Sequence, residues 1–135
     1  RLAIVGTGVT PAVRQVADLP EVQLIGAVPD VMSWYNAADA VVVPVRAGGG
    51  TRIKVLEAFR YGRAVVSTTV GIEGIEARAE EHVLLGNTPA AFAAQCLRLM
   101  NDPGLAELLT RNAHALFARA YTTEVVARTL AAMST

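Results

Sequence analysis

The sequence predicts an α/β domain with a doubly wound parallel sheet and a helical C-terminal tail, on three observations. Short β-branched apolar runs alternate with helical stretches as far as Leu85. The third and fourth of these runs are joined by a glycine triplet and an amphipathic helix, a connection that requires a parallel crossover. From Thr88 onward, helices with their own cap signals follow and no further strand is expected.

Leu2 to Val5 reads as the first strand, and Gly6-Thr7-Gly8 turns it towards a helix with Pro11 near its first position, ending about Leu19-Pro20. Val22 to Val28 is the second strand. Asp30 caps a helix carrying Val31, Met32, Trp34 and Tyr35 as far as Ala38. The third strand is Ala40 to Val45, interrupted by Pro44, and Gly48, Gly49 and Gly50 lead into a helix from Thr51 to Tyr61. Gly62 ends that helix and Ala64 to Ser67 forms the fourth strand. A polar stretch from Glu76 to Glu81 precedes the last strand, His82 to Leu85. Thr88-Pro89 and Asp102-Pro103 pair a capping residue with a first-position proline, starting helices to Met100 and to about Ala120. Thr122 or Thr123 caps a third, to about Met133.

With 135 residues and 53% hydrophobic content, the chain has the size and core of one domain. Twelve basic residues balance twelve acidic ones, which argues against nucleic acid as a partner. Cys96 is the single cysteine, so no intrachain disulfide or multi-cysteine metal site can form. It follows Phe92 by four positions and reads as a buried, inert thiol, which fits a reducing, cytoplasmic setting. No apolar run reaches the length of a spanning helix and no signal peptide is visible. The chain begins at Arg1, almost directly with a strand, and reads as a piece of a longer protein.

Three glycines let the backbone approach a ligand without intervening Cβ atoms, and the helix after them offers unpaired N–H groups to an anion. Arg46, Arg52 and Lys54 add positive charge within the same stretch. A plain flexible loop with surface cations is the competing reading. Gly6-Thr7-Gly8, with Asp30 downstream, invites a dinucleotide reading, yet Pro11 stands where the third glycine of that pattern belongs. His82 and His114 lie far apart without Cys or acidic partners at ligand spacing, and no Asp-x-Asp pair offers a magnesium–diphosphate clamp. None of Ser33, Ser67 and Ser134 lies in a nucleophile elbow. Glu57 borders the apolar arc of Ile53, Val55, Leu56 and Phe59. It can accept hydrogen bonds from a ribose diol, or it can be a solvated acid pairing with Lys54 or Arg60 at helical spacing.

PVRAGGGTRIKVLEAFRYGRAVVSTTVGIEG, with LAIVGTG, VQLIGAVPDVMSWYNAADAVVVP and NDPGLAELL around it, resembles retaining glycosyltransferases of the GT-B fold, in the family-four group. The resemblance covers almost all of the chain and is to the C-terminal, nucleotide-sugar-binding domain. In that family two glutamates bracket the turn and helix, the first meeting the transferred sugar and the second the donor ribose. Glu57 matches the second, whereas the first falls on Gly49, so the chain resembles the subset with GGGTRxKxLEA. There, backbone groups or another side chain meet the sugar hydroxyls. Thr51 and Arg52 begin the helix aimed at the diphosphate, and Arg46, Gly48, Gly49, Gly50 and Lys54 complete that surface. Val28 and Pro29 fall where the family's loop meets the nucleobase.

The resemblance therefore implies residues 1–135 as the donor-binding domain of a hexosyltransferase of polysaccharide biosynthesis, with no catalytic residue assigned within them. No metal and no cofactor besides the nucleotide-sugar substrate are expected, because family members work without a metal at the diphosphate. The implied partners are the nucleotide-sugar donor and the N-terminal acceptor domain of the same enzyme, which is cytoplasmic or peripheral to the membrane. The domain's first strand, with an Arg and a Lys for the diphosphate, is expected before Arg1, so the 135 residues alone are expected to be inactive. By the doubly wound order 3-2-1-4-5-6, that strand would separate the strands at Leu2 and Ala40. Its absence would expose two edges, inviting self-association, a domain swap or direct pairing of those edges. A regulatory nucleotide-binding module on the same fold, and a nicotinamide-dependent enzyme using the Gly6 turn, are the alternatives.

Overall fold

A computed structural model describes residues 1–50 and 52–134. Thr51, expected to begin a helix at the diphosphate, lies outside the described residues. The chain divides into two compact units, residues 1–34 and 35–135.

The first unit contains β1 (Leu2–Val5), α1 (Pro11–Val16) and β2 (Val22–Gly26). The two strands are parallel, with Leu2 opposite Val22 and a register shift between Ile4 and Val5. Thr10 caps α1, its Oγ1 accepting from the Val13 amide at 3.3 Å. β2 stops at Gly26, two residues earlier than the apolar pattern predicts, because Gly26 takes a φ of 81° and leaves the extended region. Val28 and Pro29 thus follow the strand in a loop. The division between the units falls inside α2 (Met32–Ala37), whose Met32 amide donates to Asp30 Oδ1 at 3.0 Å.

The second unit is built on a parallel sheet of order β3-β4-β5: β3 (Ala40–Val43), β4 (Ala64–Ser67) and β5 (Leu84–Leu85). β3 ends two residues before the predicted Val45, since Pro44 has no N–H for the ladder. α3 (Ile53–Arg60) crosses from β3 to β4, starting two residues later than predicted. Gly48 and Gly50 hold φ of 120° and 109°, outside helical geometry, and the Arg52 carbonyl accepts the first helical bonds from the amides of Val55 and Leu56. At the other end Gly62, at φ 67°, closes a Schellman motif: the Arg63 amide donates to Ala58 O at 2.8 Å and that of Gly62 to Phe59 O at 3.2 Å.

β4 is buried along its whole length, as a central parallel strand covered on both faces must be. Its residues alternate between two cores. Val65 joins Val43, Val55, Phe59, Val83 and Leu116, while Ala64 and Val66 join Leu84, Leu99 and Leu109. The helices behind these cores are α4 (Pro89–Asn101) and α5 (Pro103–Ala120), and α6 (Thr123–Met133) packs on α5; Thr88, Asp102 and Thr122 cap the three as predicted. Cys96 is half-buried against the second core rather than fully enclosed, and burial raises its thiol pKa. No described helix is long and apolar enough to cross a membrane.

One departure from the sequence reading concerns backbone pairing. β5 has two residues instead of the four predicted, because the amides of His82 and Val83 donate to Arg78 O within a turn. Within each unit the ladders are parallel, β1 pairing with β2 and β3 with β4.

Candidate functional site

The carboxyl ends of β3, β4 and β5 are tied into one polar frame by short side chains. Ser67 Oγ donates to Thr68 O at 2.8 Å and lies 3.3 Å from Val43 O, and the Thr68 hydroxyl donates to Val45 O. Thr68 Oγ1 in turn accepts from the Gly71 amide at 3.0 Å, inside a single 3-10 turn at Val70–Ile72 that the sequence pattern did not reveal. Asn87, just beyond β5, accepts from the Thr69 amide at 2.8 Å and donates to Thr69 Oγ1 at 2.9 Å. Sequence reasoning missed Ser67, Thr68 and Asn87. Their signal was present: hydroxyl and amide residues placed where apolar strands end, at the sheet edge where ligands of open α/β folds bind.

On that frame sits the glycine-rich turn. Gly48 and Gly50 occupy positive-φ backbone that other residues rarely adopt, whereas Gly49 does not. A side chain added at any of the three would meet nothing within 4 Å, so the turn opens onto free space. Arg46 and Lys54 are exposed. Arg52 behaves differently: its side chain is only 10% exposed, and it donates from Nη2 to Gly48 O at 3.0 Å. The same nitrogen lies 3.8 Å from Glu73, while Arg52 Nε is buried with no hydrogen-bond partner among the described residues. The guanidinium thus braces the turn beside the first turn of α3, where the helix's own N–H groups are unpaired.

Glu57 follows Arg52 by five residues, roughly 7–8 Å along the helix axis. It is half-buried, and neither Lys54 nor Arg60 pairs with it among the described residues. Instead Glu57 Oε2 accepts from the Tyr35 hydroxyl at 2.7 Å. Burial, together with the hydrogen bond and charge of Glu57, raises the Tyr35 pKa well above the usual phenol range, so the hydroxyl remains a donor. The surface pairing that helical spacing offers is replaced by a charge-assisted bond to one carboxylate oxygen, Oε2. The second unit gathers Arg46, the glycines, Arg52, Lys54 and Glu57 along one turn and helix. Val28, half-buried, and Pro29, exposed, belong to the first unit.

A cavity of about 650 Å³ lies elsewhere in the second unit, lined by Glu76, Arg78, Glu81, His82, Asn112 and Arg119 among others. His82 is buried there, with Nδ1 accepting from the Arg78 amide at 3.0 Å, which fixes the neutral ring with its proton on Nε2. Burial lowers the His82 pKa from its ordinary 6.5; the Glu81 carboxylate opposes that shift, and Arg78 and Arg119 add to it. Between the folded and unfolded pKa values the unfolded chain binds more protons, so stability rises with pH across that window. The melting temperature should therefore hold above about pH 6.5 and fall as the pH drops below it. His82→Gln, which can still accept from the Arg78 amide, should flatten this fall in a thermal scan series. An unchanged pH profile would contradict the assignment.

The family model described as glycosyl transferases group 1 matches residues 1–102. Among solved structures, the chain is similar to the C-terminal domain of a glycosyl transferase group 1 family protein, LpcC, from Francisella tularensis. The identity is 24% and the TM-score 0.68, over 83% of this chain and 60% of that one. It is also similar to HepE of Anabaena, solved in complex with UDP, at 17% identity and a TM-score of 0.77, over 96% of this chain and 40% of that one. The chain thus spans 60% and 40% of the lengths of these two neighbours. No curated protein matches it. These likenesses share the fold described above, parallel α/β with C-terminal helices as in the C-terminal domain of GT-B glycosyltransferases. With three quarters of its residues under the family model, the chain belongs to the glycosyl transferases group 1.

Proposed function

We propose that the chain is the donor-binding domain of a retaining glycosyltransferase, which transfers a hexosyl group from a nucleotide-diphosphate sugar to an acceptor. The observation that carries this reading is the open glycine-rich turn at the start of α3, with Glu57 one and a half turns further along. The diphosphate would lie against the amides of Gly48, Gly49, Gly50 and Arg52, with the Arg46, Arg52 and Lys54 side chains supplying positive charge. The ribose would reach Oε1 of Glu57. Positive charge at this helix end would stabilise the diphosphate as it leaves with the bonding electrons, without a metal. Family membership and the UDP bound to HepE support the reading. Thr51 would contribute to the diphosphate contacts, and Val28 and Pro29 would meet the base.

The rest of the enzyme would supply the acceptor domain and further cations for the diphosphate, in a protein that is cytoplasmic or peripheral to the membrane and serves polysaccharide synthesis. Residues 1–135 alone should accordingly transfer no sugar; sustained transfer by the purified chain would contradict this division of labour.

A thermal-shift panel of UDP, GDP and ADP on the intact protein tests the reading. One of them should stabilise it by RT ln(1 + [L]/Kd), which makes even weak binding visible at high concentration. No shift with any of the three, at millimolar concentration, would overturn it. If one binds but no sugar is transferred by the intact protein, the fold serves as a nucleotide-binding regulatory module instead.

A further inference from the structure

The contact that fixes Glu57 comes from outside its own helix. Tyr35, on α2, reaches across 22 positions of sequence to donate a 2.7 Å hydrogen bond to Oε2. Its ring stacks on Tyr61, with centroids 5.2 Å apart and planes inclined by 24°. Glu57 and Tyr61 are four residues apart, so they lie one above the other on the same face of the helix end. The Tyr35 ring rests on the lower of the two while its hydroxyl meets the upper. The exposed Arg60 guanidinium lies over the Tyr61 ring, 5.7 Å from its centre. Carboxylate, phenol and stacked ring therefore form one rigid unit.

A carboxylate on a free glutamate side chain rotates, and either oxygen can present either lone pair. Here Oε2 is committed to a charge-assisted bond, which sets the plane of the carboxylate and the direction of Oε1. We infer that Tyr35 is a positioning residue that aims Glu57 at a vicinal diol, and so gives the site its preference for ribonucleotides over deoxyribonucleotides. This rests on the reading of Glu57 as the ribose acceptor. Nothing in it requires Tyr35 to touch the ligand.

Tyr35→Phe keeps the ring, and with it the stack on Tyr61, and removes only the hydroxyl. The test is calorimetric titration of the intact protein with whichever of UDP, GDP and ADP binds best, and with its 2′-deoxy and 3′-deoxy counterparts. Tyr35→Phe should weaken the ribonucleotide by about three- to tenfold, leave the deoxy forms nearly unchanged, and so shrink the ribo-to-deoxy ratio. In a Glu57→Gln background, the same change should add little, because the two residues act as one unit. A ribo-to-deoxy ratio that Tyr35→Phe leaves intact, while Glu57→Gln lowers it, would overturn the positioning role alone. A ratio that neither variant moves would overturn the reading of Glu57 together with it. A lower melting temperature with an unmoved ratio would make Tyr35 a packing residue and would count equally against the inference.

Discussion

Glu57→Gln in the intact protein is expected to lower affinity for the nucleoside diphosphate by about ten- to a hundredfold. Hydrogen bonds to a charged group contribute about 1.5–3 kcal/mol each, and the substitution keeps the shape while removing the charge. Stability should fall by about 1 kcal/mol at most, because the carbonyl of the introduced amide can still accept from the Tyr35 hydroxyl that Glu57 holds at 2.7 Å. Arg60→Gln is the control. Arg60 is exposed and lies over Tyr61 rather than beside Glu57, so its loss should leave binding nearly intact. Calorimetric titration of both variants separates a ligand carboxylate from a surface charge: the first gives unequal affinities, the second equal ones.

Phe59→Ala should have the largest effect on stability, about 3–5 kcal/mol, through lost burial and the cavity left behind. Phe59 is fully buried two residues after Glu57 and packs among Val43, Val55, Val65, Val83 and Leu116. That loss would be a large share of the roughly 5–15 kcal/mol that holds an ordinary domain folded. Because the same helix carries Glu57 and begins at the glycine turn, nucleotide binding should fail with it near body temperature. Leu97→Ala, at a side chain 65% exposed on α4, should stay within about 0.5 kcal/mol. Urea midpoints for the two variants check the contrast, and a Phe59→Ala midpoint close to that of Leu97→Ala would contradict the core described here.

What the sequence made legible was local. Thr88, Asp102 and Thr122 cap their helices through bonds three residues long, and Gly62 stops α3 through its own backbone. Such signals need no tertiary partner. The buried, β-branched run at β4 was equally plain, since a central parallel strand has no polar face to hide. The losses came where distant residues decide the outcome. Nothing near Glu57 announces Tyr35, and helical spacing pointed to Lys54 and Arg60 instead. The shortened β5 depends on amides that a turn around Arg78 captures, and the 3-10 turn at Val70–Ile72 on a hydroxyl from Thr68. Arg52 was legible as a cation at the turn, while its burial against Gly48 and Glu73 was not.

The proposed site puts a diphosphate at the turn from Gly48 to Arg52 and its ribose at Glu57. Amide chemical shifts of the chain, followed while UDP, GDP and ADP are added in turn at millimolar concentration, test it most directly. One of them should move the amides of Gly48, Gly50, Arg52 and Ile53 most, with those of Glu57 and Tyr35 following. Shifts confined to Gly6 to Gly8, or to the residues around His82, with the Gly48 turn unmoved, would contradict it.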